Sequence, residues 1–501
     1  MSPLPDDIAW WPATEQLAAL RAGQISSAEL LELYLSRINR HNGALNAIIT
    51  IDVDAAVDAA RAADAAQSRG ERLGVLHGLP ITVKDSYETA GLRTVCGRRD
   101  LADFVPTQDA EAVSRLRRAG AVILGKTNMP TGNQDVQASN PVFGRTNNPW
   151  DPSRSSGGSA GGGAAATAAG LTGFDYGSEI GGSTRIPAHF CGLFGHKVTW
   201  RSVPLVGHIP NGPGNPGRSA EIDMACAGLQ VRGARDIIPA LQATVGTLPR
   251  DDGFSYALAP PRAKVLKDFR VAVWTEDPSC PVDSDVRAAI DSAVAALRDA
   301  GATVVTHPAS IPIDLATSHA VFERLVYGAF SIDRSTISVR SGVSMAARII
   351  QRPGGDAAKA ARGVAQSHRA WLFADAARHE IRDGWVRFFR EFDVLLLPVT
   401  STAAPAHHDK DHDRWGRRIL VDGTARSYWD QVKWSALANV AGSPATTMPI
   451  TTNAAGLPVG IQAMGPPGGD LTTVEFAALL TEIVGGHRVP LPYRTKELSN
   501  V

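Results

Sequence analysis

Two serines of this chain have the type and the setting for nucleophilic chemistry: Ser159 in GGSAGGG and Ser183 in EIGGSTR. The serines stand 183 − 159 = 24 positions apart within the glycine-rich residues 151–190. Glycine costs roughly 0.5–1 kcal/mol against alanine in regular structure, so a dense run of it suits backbone that must approach something closely. Consecutive free N–H groups beside a serine form a cradle for an oxyanion. A serine hydroxyl attacks a carbonyl well only when a base takes its proton.

Three arrangements could supply that base. GGSAG at 157–161 matches the GxSxG elbow of serine–histidine hydrolases, but a glycine-rich stretch meets this pattern easily. The preceding NNPWDPSR is turn-like, whereas an elbow needs a buried strand entering it. An SxxK followed by SDN and KTG is absent, since residues 126–128 stop one short of the last element. The third arrangement is a serine–serine–lysine relay. Its lysine, with a pKa near 10.4, would cost roughly 4–5 kcal/mol to hold neutral at pH 7. Burial at a strand end among serines and glycine N–H groups disfavours the charged form. Lys126 reads as structural, and Arg185 as a residue that fixes the loop of Ser183. His189 and His196 flank Cys191 without the carboxylate spacing of a ligand set, so no metal is expected, and Cys191 is not the nucleophile.

The elements that must position these residues follow an α/β pattern. Residues 12–69 read as helices, with Ser26 and Glu29 spaced as a capping box. Residues 81–83 form a β-branched run, which puts Lys84 and Asp85 at a strand end. A helix at 109–119 and a strand at 121–124 follow. Residues 164–169 read as a short helix, so Ser159 lies just before a helix N-terminus. Residues 201–265 are rich in Pro and Gly and read as surface excursions. Strands are expected at 269–274, 302–306, 392–397, 445–450 and 459–464, with helices at 284–300, 434–440 and 471–484.

The 501 residues carry 50 basic and 50 acidic side chains, which gives no electrostatic case for nucleic acid or a membrane surface. Four scattered cysteines form no CxxC or Cys/His cluster. The N-terminus lacks a basic and then apolar leader, and no apolar run reaches the roughly 20 residues of a bilayer span. A cytoplasmic protein, monomer or homodimer, is the expectation.

Motifs in order along residues 74–490 carry a family likeness: GLPITVKD at 78–85, GKTN at 125–128, FGRTNNPW at 143–150, the Ser/Gly stretch, GSEIGGSTRIPA at 177–188 and GLPVGIQ at 456–462. The chain resembles the amidase signature hydrolases. The resemblance implies an α/β amidase-signature fold, a large twisted mixed β-sheet covered on both faces by helices. Residues 1–70 would be a helical segment packing on a single 71–501 domain, with a largely helical insertion at about 313–390. It implies Ser183 as nucleophile, Lys84 as base, and Ser159 as the bridging serine on a cis peptide bond after Gly158. Ser155 or Ser156 in that role would demand an insertion. The N–H groups of Ile180, Gly181 and Gly182 would hold the oxyanion. Ala160 and Glu179 depart from the family's usual Ser and Asp. Amides are the implied substrates, with carbamates and esters as further ones, and no cofactor is needed. Phe143, Phe322, Leu325, Tyr327 and Phe330 suggest an aryl or alkyl acyl group. The rival from another class is the glutaminase subunit of a tRNA-dependent amidotransferase, against which the apolar Ile186 argues.

Overall fold

The computed structural model describes residues 4–209, 219, 221–251, 253–331, 346, 348–408 and 413–493. Its strands are β1 (Ile48–Ile51), β2 (Pro80–Lys84), β3 (Val122–Thr127), β4 (Ser139–Asn140), β5 (Gly144–Arg145), β6 (Asp175–Glu179), β7 (Phe194–Lys197), β8 (Cys226–Val231), β9 (Arg270–Val273), β10 (Thr303–Thr306), β11 (Val394–Pro398), β12 (Arg418–Val421), β13 (Thr424–Ser427), β14 (Ala445–Thr452) and β15 (Pro458–Met464). Eleven of them form one mixed sheet in the order β1-β3-β2-β6-β8-β7-β14-β15-β11-β9-β10. β2 runs parallel to both β3 and β6, whereas β6, β8, β7, β14 and β15 are successively antiparallel. Successive residues of a strand face opposite sides of a sheet. Every residue of β2, β3, β6, β7 and β8 is buried, so both faces are covered there.

Several segments differ from the sequence reading. Residues 12–69 are not helical throughout. α1 (Ala13–Arg21), α2 (Ser27–Leu45) and α3 (Val53–Ser68) are interrupted by β1, which pairs with β3 at the sheet edge. A four-residue apolar run between helices has too few positions to display a period. The capping box forms as expected, Ser26 with Glu29. Residues 201–265 are not all surface excursion, because β8 is a buried strand of the sheet. β6 (Asp-Tyr-Gly-Ser-Glu) escapes an apolar-run reading by being polar, and burial pushes its Asp175 carboxyl up to about 7 while Oδ1 finds partners. Asp175 accepts from Thr82 Oγ1 (2.8 Å) and Thr127 Oγ1 (2.9 Å).

Two features of the fold fix the site. Lys84 and Glu179 are the last residues of neighbouring parallel strands, and loops beyond such strand ends are where open α/β sheets place their ligands. After α4 (Glu111–Arg118), α5 (Gly161–Ala168) is built wholly of Gly, Ala and Thr. A Cβ on Gly162 would stand 2.4 Å from Asn128 N, and one on Gly163 2.0 Å from Asp175 Oδ2. Only glycine lets this helix press so closely on the sheet, and its start carries Ser159 to the end of β2. Within the described residues of 313–390 the chain is helical, with Leu315–Phe330, Asp356–Val364 and His368–Glu391. Residues 332–345 of that insertion lie outside the described residues.

Candidate active site

Lys84 is fully buried. Its Nζ donates to Ser159 Oγ at 2.6 Å and lies 3.2 Å from Ser178 Oγ and 3.3 Å from Ser178 O. Burial pushes the amine down to about 7 against the opposing pull of Cys96, Asp175 and Glu179. Ser159 follows a cis peptide bond from Gly158, the isomer that the family resemblance implied. Its hydroxyl donates to Asn133 Oδ1 at 3.5 Å.

Ser183 sits in the turn between β6 and α6 (Arg185–Cys191). Gly182 has φ +107°, and a Cβ there would meet Ile186 Cδ1 at 2.6 Å, so the turn requires glycine. Glu179 and Arg185 clamp both ends of the turn. Glu179 Oε2 accepts Thr184 N (3.1 Å) and Arg185 N (3.2 Å), and Oε1 accepts Arg185 Nε (2.9 Å). Arg185 also donates to Ser435 O (2.7 Å), Asn439 Oδ1 (2.9 Å) and Gln462 Oε1. Burial works to raise the Glu179 carboxyl, yet the Arg185 guanidinium and the N–H donors hold it below its ordinary value. With Thr184 N and Arg185 N engaged, the N–H groups of Ile180, Gly181, Gly182 and Ser183 are left without a hydrogen-bond partner among the described residues.

The geometry brings Lys84 and Ser159 into direct contact and Ser183 beside them. The Ser183 carbonyl accepts Ala160 N at 3.0 Å, and Ser159 and Ser183 line one small cavity of about 20 Å³. No hydrogen bond joins the two serine hydroxyls. Catalytic hydrogen bonds commonly close only around bound substrate. On its other side Ser183 opens into a cavity of about 180 Å³ walled by Phe322, Val326, Tyr327, Phe330, Trp415 and Trp429.

A profile of the Amidase family matches residues 29–474. The chain belongs to the amidase family. It is 31% identical over 485 residues to a glutamyl-tRNA(Gln) amidotransferase subunit of Rhodopirellula baltica, covering 91% of this chain and 92% of that one. It is 30% identical to the indoleacetamide hydrolase of Bradyrhizobium diazoefficiens, with 91% and 84% covered. Among solved structures it matches a 6-aminohexanoate cyclic dimer hydrolase complexed with substrate at TM-score 0.76 and 25% identity, covering 97% of this chain and all of the other.

In this amidase the other candidates sort by what they touch. Lys126 donates to Tyr87 O and to the hydroxyls of Thr89 (2.9 Å) and Thr94 (3.3 Å). Those hydroxyls already donate to backbone carbonyls, so they can only accept from it. Asp85 does not pair with Lys84 but accepts Val95 N and Cys96 N. His189 is spanned between Gly460 and Thr402, and His196 contacts Asp470 and Thr446. Burial pushes the Cys191 thiol up, away from thiolate chemistry. Sequence reasoning missed Ser178, His208 and Asn133 beside Lys84 and Ser159, and Trp415 and Trp429 in the large cavity. Ser178 lies inside the GSEIGGSTRIPA motif without having been singled out there, whereas the others meet the site from separate stretches of chain. Leu325 is core rather than cavity wall, and Phe143 lies under the Arg93 guanidinium instead.

The Arg185–Glu179 pair is fully buried, so removing one partner strands a charge. Arg185→Met is expected to cost about 3–5 kcal/mol in urea unfolding. Arg185→Met combined with Glu179→Gln should cost less than the single change.

Proposed function

We propose that this amidase hydrolyses carboxylic amides with an apolar aryl or alkyl acyl group, through an acyl-enzyme on Ser183. The observation that carries the reading is the fully buried Lys84 amine, pushed down to about 7 and 2.6 Å from Ser159 Oγ. Neutral Lys84 takes the Ser159 proton as Ser159 takes that of Ser183, and Ser183 Oγ adds to the carbonyl carbon. The N–H groups of Ile180, Gly181 and Gly182 hold the oxyanion, a contribution of about 3–4 kcal/mol for one well-placed donor. The proton returns through Ser159 to the leaving amine as the C–N bond breaks. Water, deprotonated by the same route, then attacks the ester and releases the acid. Esters and carbamates with the same acyl side are chemically open to this route.

The aromatic wall beside Ser183 supports an apolar acyl group. The carboxylates near it are already engaged: Asp135 accepts from Tyr428 (2.8 Å) and Arg417 (2.6 Å), and Glu323 lies 3.3 Å from Lys359. Arg414, the cation on the wall, donates to Gln134 O (2.5 Å) and lies over the Trp415 and Trp429 rings. The likeness to the amidotransferase subunit favours a second reading, glutamine hydrolysis within a tRNA-dependent complex.

A fluorophosphonate should label Ser183, and Ser183→Ala should lose the label and at least about a thousandfold in kcat. Ser159→Ala should lose about a hundredfold or more. Anilides and arylacetamides should turn over faster than free glutamine when the protein is assayed alone. Turnover confined to glutamine would overturn the apolar-acyl reading in favour of the second.

The pH profile carries a definite sign. The base works as the neutral amine, and protonation below its depressed pKa removes it. kcat/KM should therefore rise with pH through about 7 to a plateau. A rise deferred until about pH 10 would mean an ordinary charged lysine.

A further inference from the structure

The Lys84 amine meets three oxygens: Ser159 Oγ at 2.6 Å, Ser178 Oγ at 3.2 Å and Ser178 O at 3.3 Å. A neutral amine has two N–H donors and one lone pair. The Ser178 carbonyl can only accept, but a hydroxyl can donate or accept. A Ser178 hydroxyl turned toward Lys84 would occupy the lone pair that the relay needs for the Ser159 proton. Something must therefore hold the Ser178 proton elsewhere.

His208 stands in that position. Its Nε2 is 2.8 Å from Ser178 Oγ, closer than Ser86 Oγ at 3.4 Å. The ring is buried edge-on against Tyr87 at 4.8 Å. The backbone is pinned by an isolated bridge between Tyr87 and His208 and by Ile209 N donating to Ser86 O at 2.8 Å. Nδ1 has no partner among the described residues. Burial, with Lys84 and Lys126 nearby, pushes the imidazole down to about 3 and keeps it neutral.

We propose that His208 is a positioning residue: its Nε2 accepts the Ser178 proton, which makes Ser178 Oγ an obligate acceptor and leaves the lone pair of neutral Lys84 facing Ser159 alone. Both Lys84 N–H groups then go to Ser178, one to its hydroxyl and one to its carbonyl. The proton path is thereby given one direction, toward Ser159 and Ser183. The proposal rests on the relay reading above.

A double-mutant cycle on amide turnover tests it. His208→Ala should lower kcat about tenfold, the scale of one lost hydrogen bond, with KM within about twofold. In a Ser178→Ala background the same change should cause no further loss, because His208 acts only through that hydroxyl. His208→Gln, whose amide oxygen can accept the Ser178 proton, should recover most of the activity. Nitrogen NMR of ring-labelled histidine in the unaltered protein should find Nε2 unprotonated and Nδ1 protonated. Equal losses in both backgrounds, a loss carried by KM, or an Nε2–H tautomer would overturn the assignment. If Lys84→Ala and Ser183→Ala left turnover intact, the relay reading itself would fall. If they abolish turnover while the cycle shows no coupling, only the role of His208 falls.

Discussion

An amine buried without an ion-pair partner sets the terms for the rest of this structure. Moving a charged ammonium out of water is costly unless an opposite charge meets it, and the group otherwise gives up its proton. Lys84 is hydrogen-bonded to hydroxyl and carbonyl oxygens, not to a carboxylate. Lys126 on the neighbouring strand makes the contrast. Burial pushes it down too, to about 8, with Asp85 pulling against the burial, and its hydroxyl partners have spent their protons on carbonyls. One lysine is surrounded by fixed acceptors; the other touches a serine whose hydroxyl is held only by a 3.5 Å contact to Asn133 Oδ1.

Keeping Lys84 dry and close to Ser159 requires backbone packing that only small residues permit. The glycines of α5 bring the helix start against β3 and β6, and Gly182 allows the tight turn that carries Ser183. The turn would be loose without Glu179 and Arg185, which satisfy the first N–H groups of α6 and tie it to Ser435, Asn439 and Gln462. The site and the cavity beside it are thus built by different parts of the fold. Lys84, Ser159 and Ser183 sit on a strand end and glycine turns, whereas the cavity wall is drawn from the helix Leu315–Phe330 and the segment holding Trp415 and Trp429.

This division explains what could be read from the chain beforehand. Lys84, Ser159 and Ser183 were legible because each lies in a short local pattern, and local backbone demands fix those patterns. The strands β9, β10, β11, β14 and β15 were legible in the sequence. β6 was not, because its Asp175 and Glu179 defy the apolar pattern of a buried strand, and their partners, Thr82, Thr127 and Arg185, lie outside it. His208 and Asn133 reach the site from loops far apart in the chain, so no spacing announces them. The aromatic wall was only half visible for the same reason: Phe322, Tyr327 and Phe330 share one helix, but Trp415 and Trp429 join them only through the tertiary fold.

The charge state of one amine decides the matter most directly. Site-specific nitrogen NMR of Lys84, followed from about pH 5 to 11 in the unliganded protein, brackets both the depressed and the ordinary lysine pKa without any substrate. A midpoint near 7 is what this account predicts. A Lys84 that stays an ammonium until about pH 10 would contradict it.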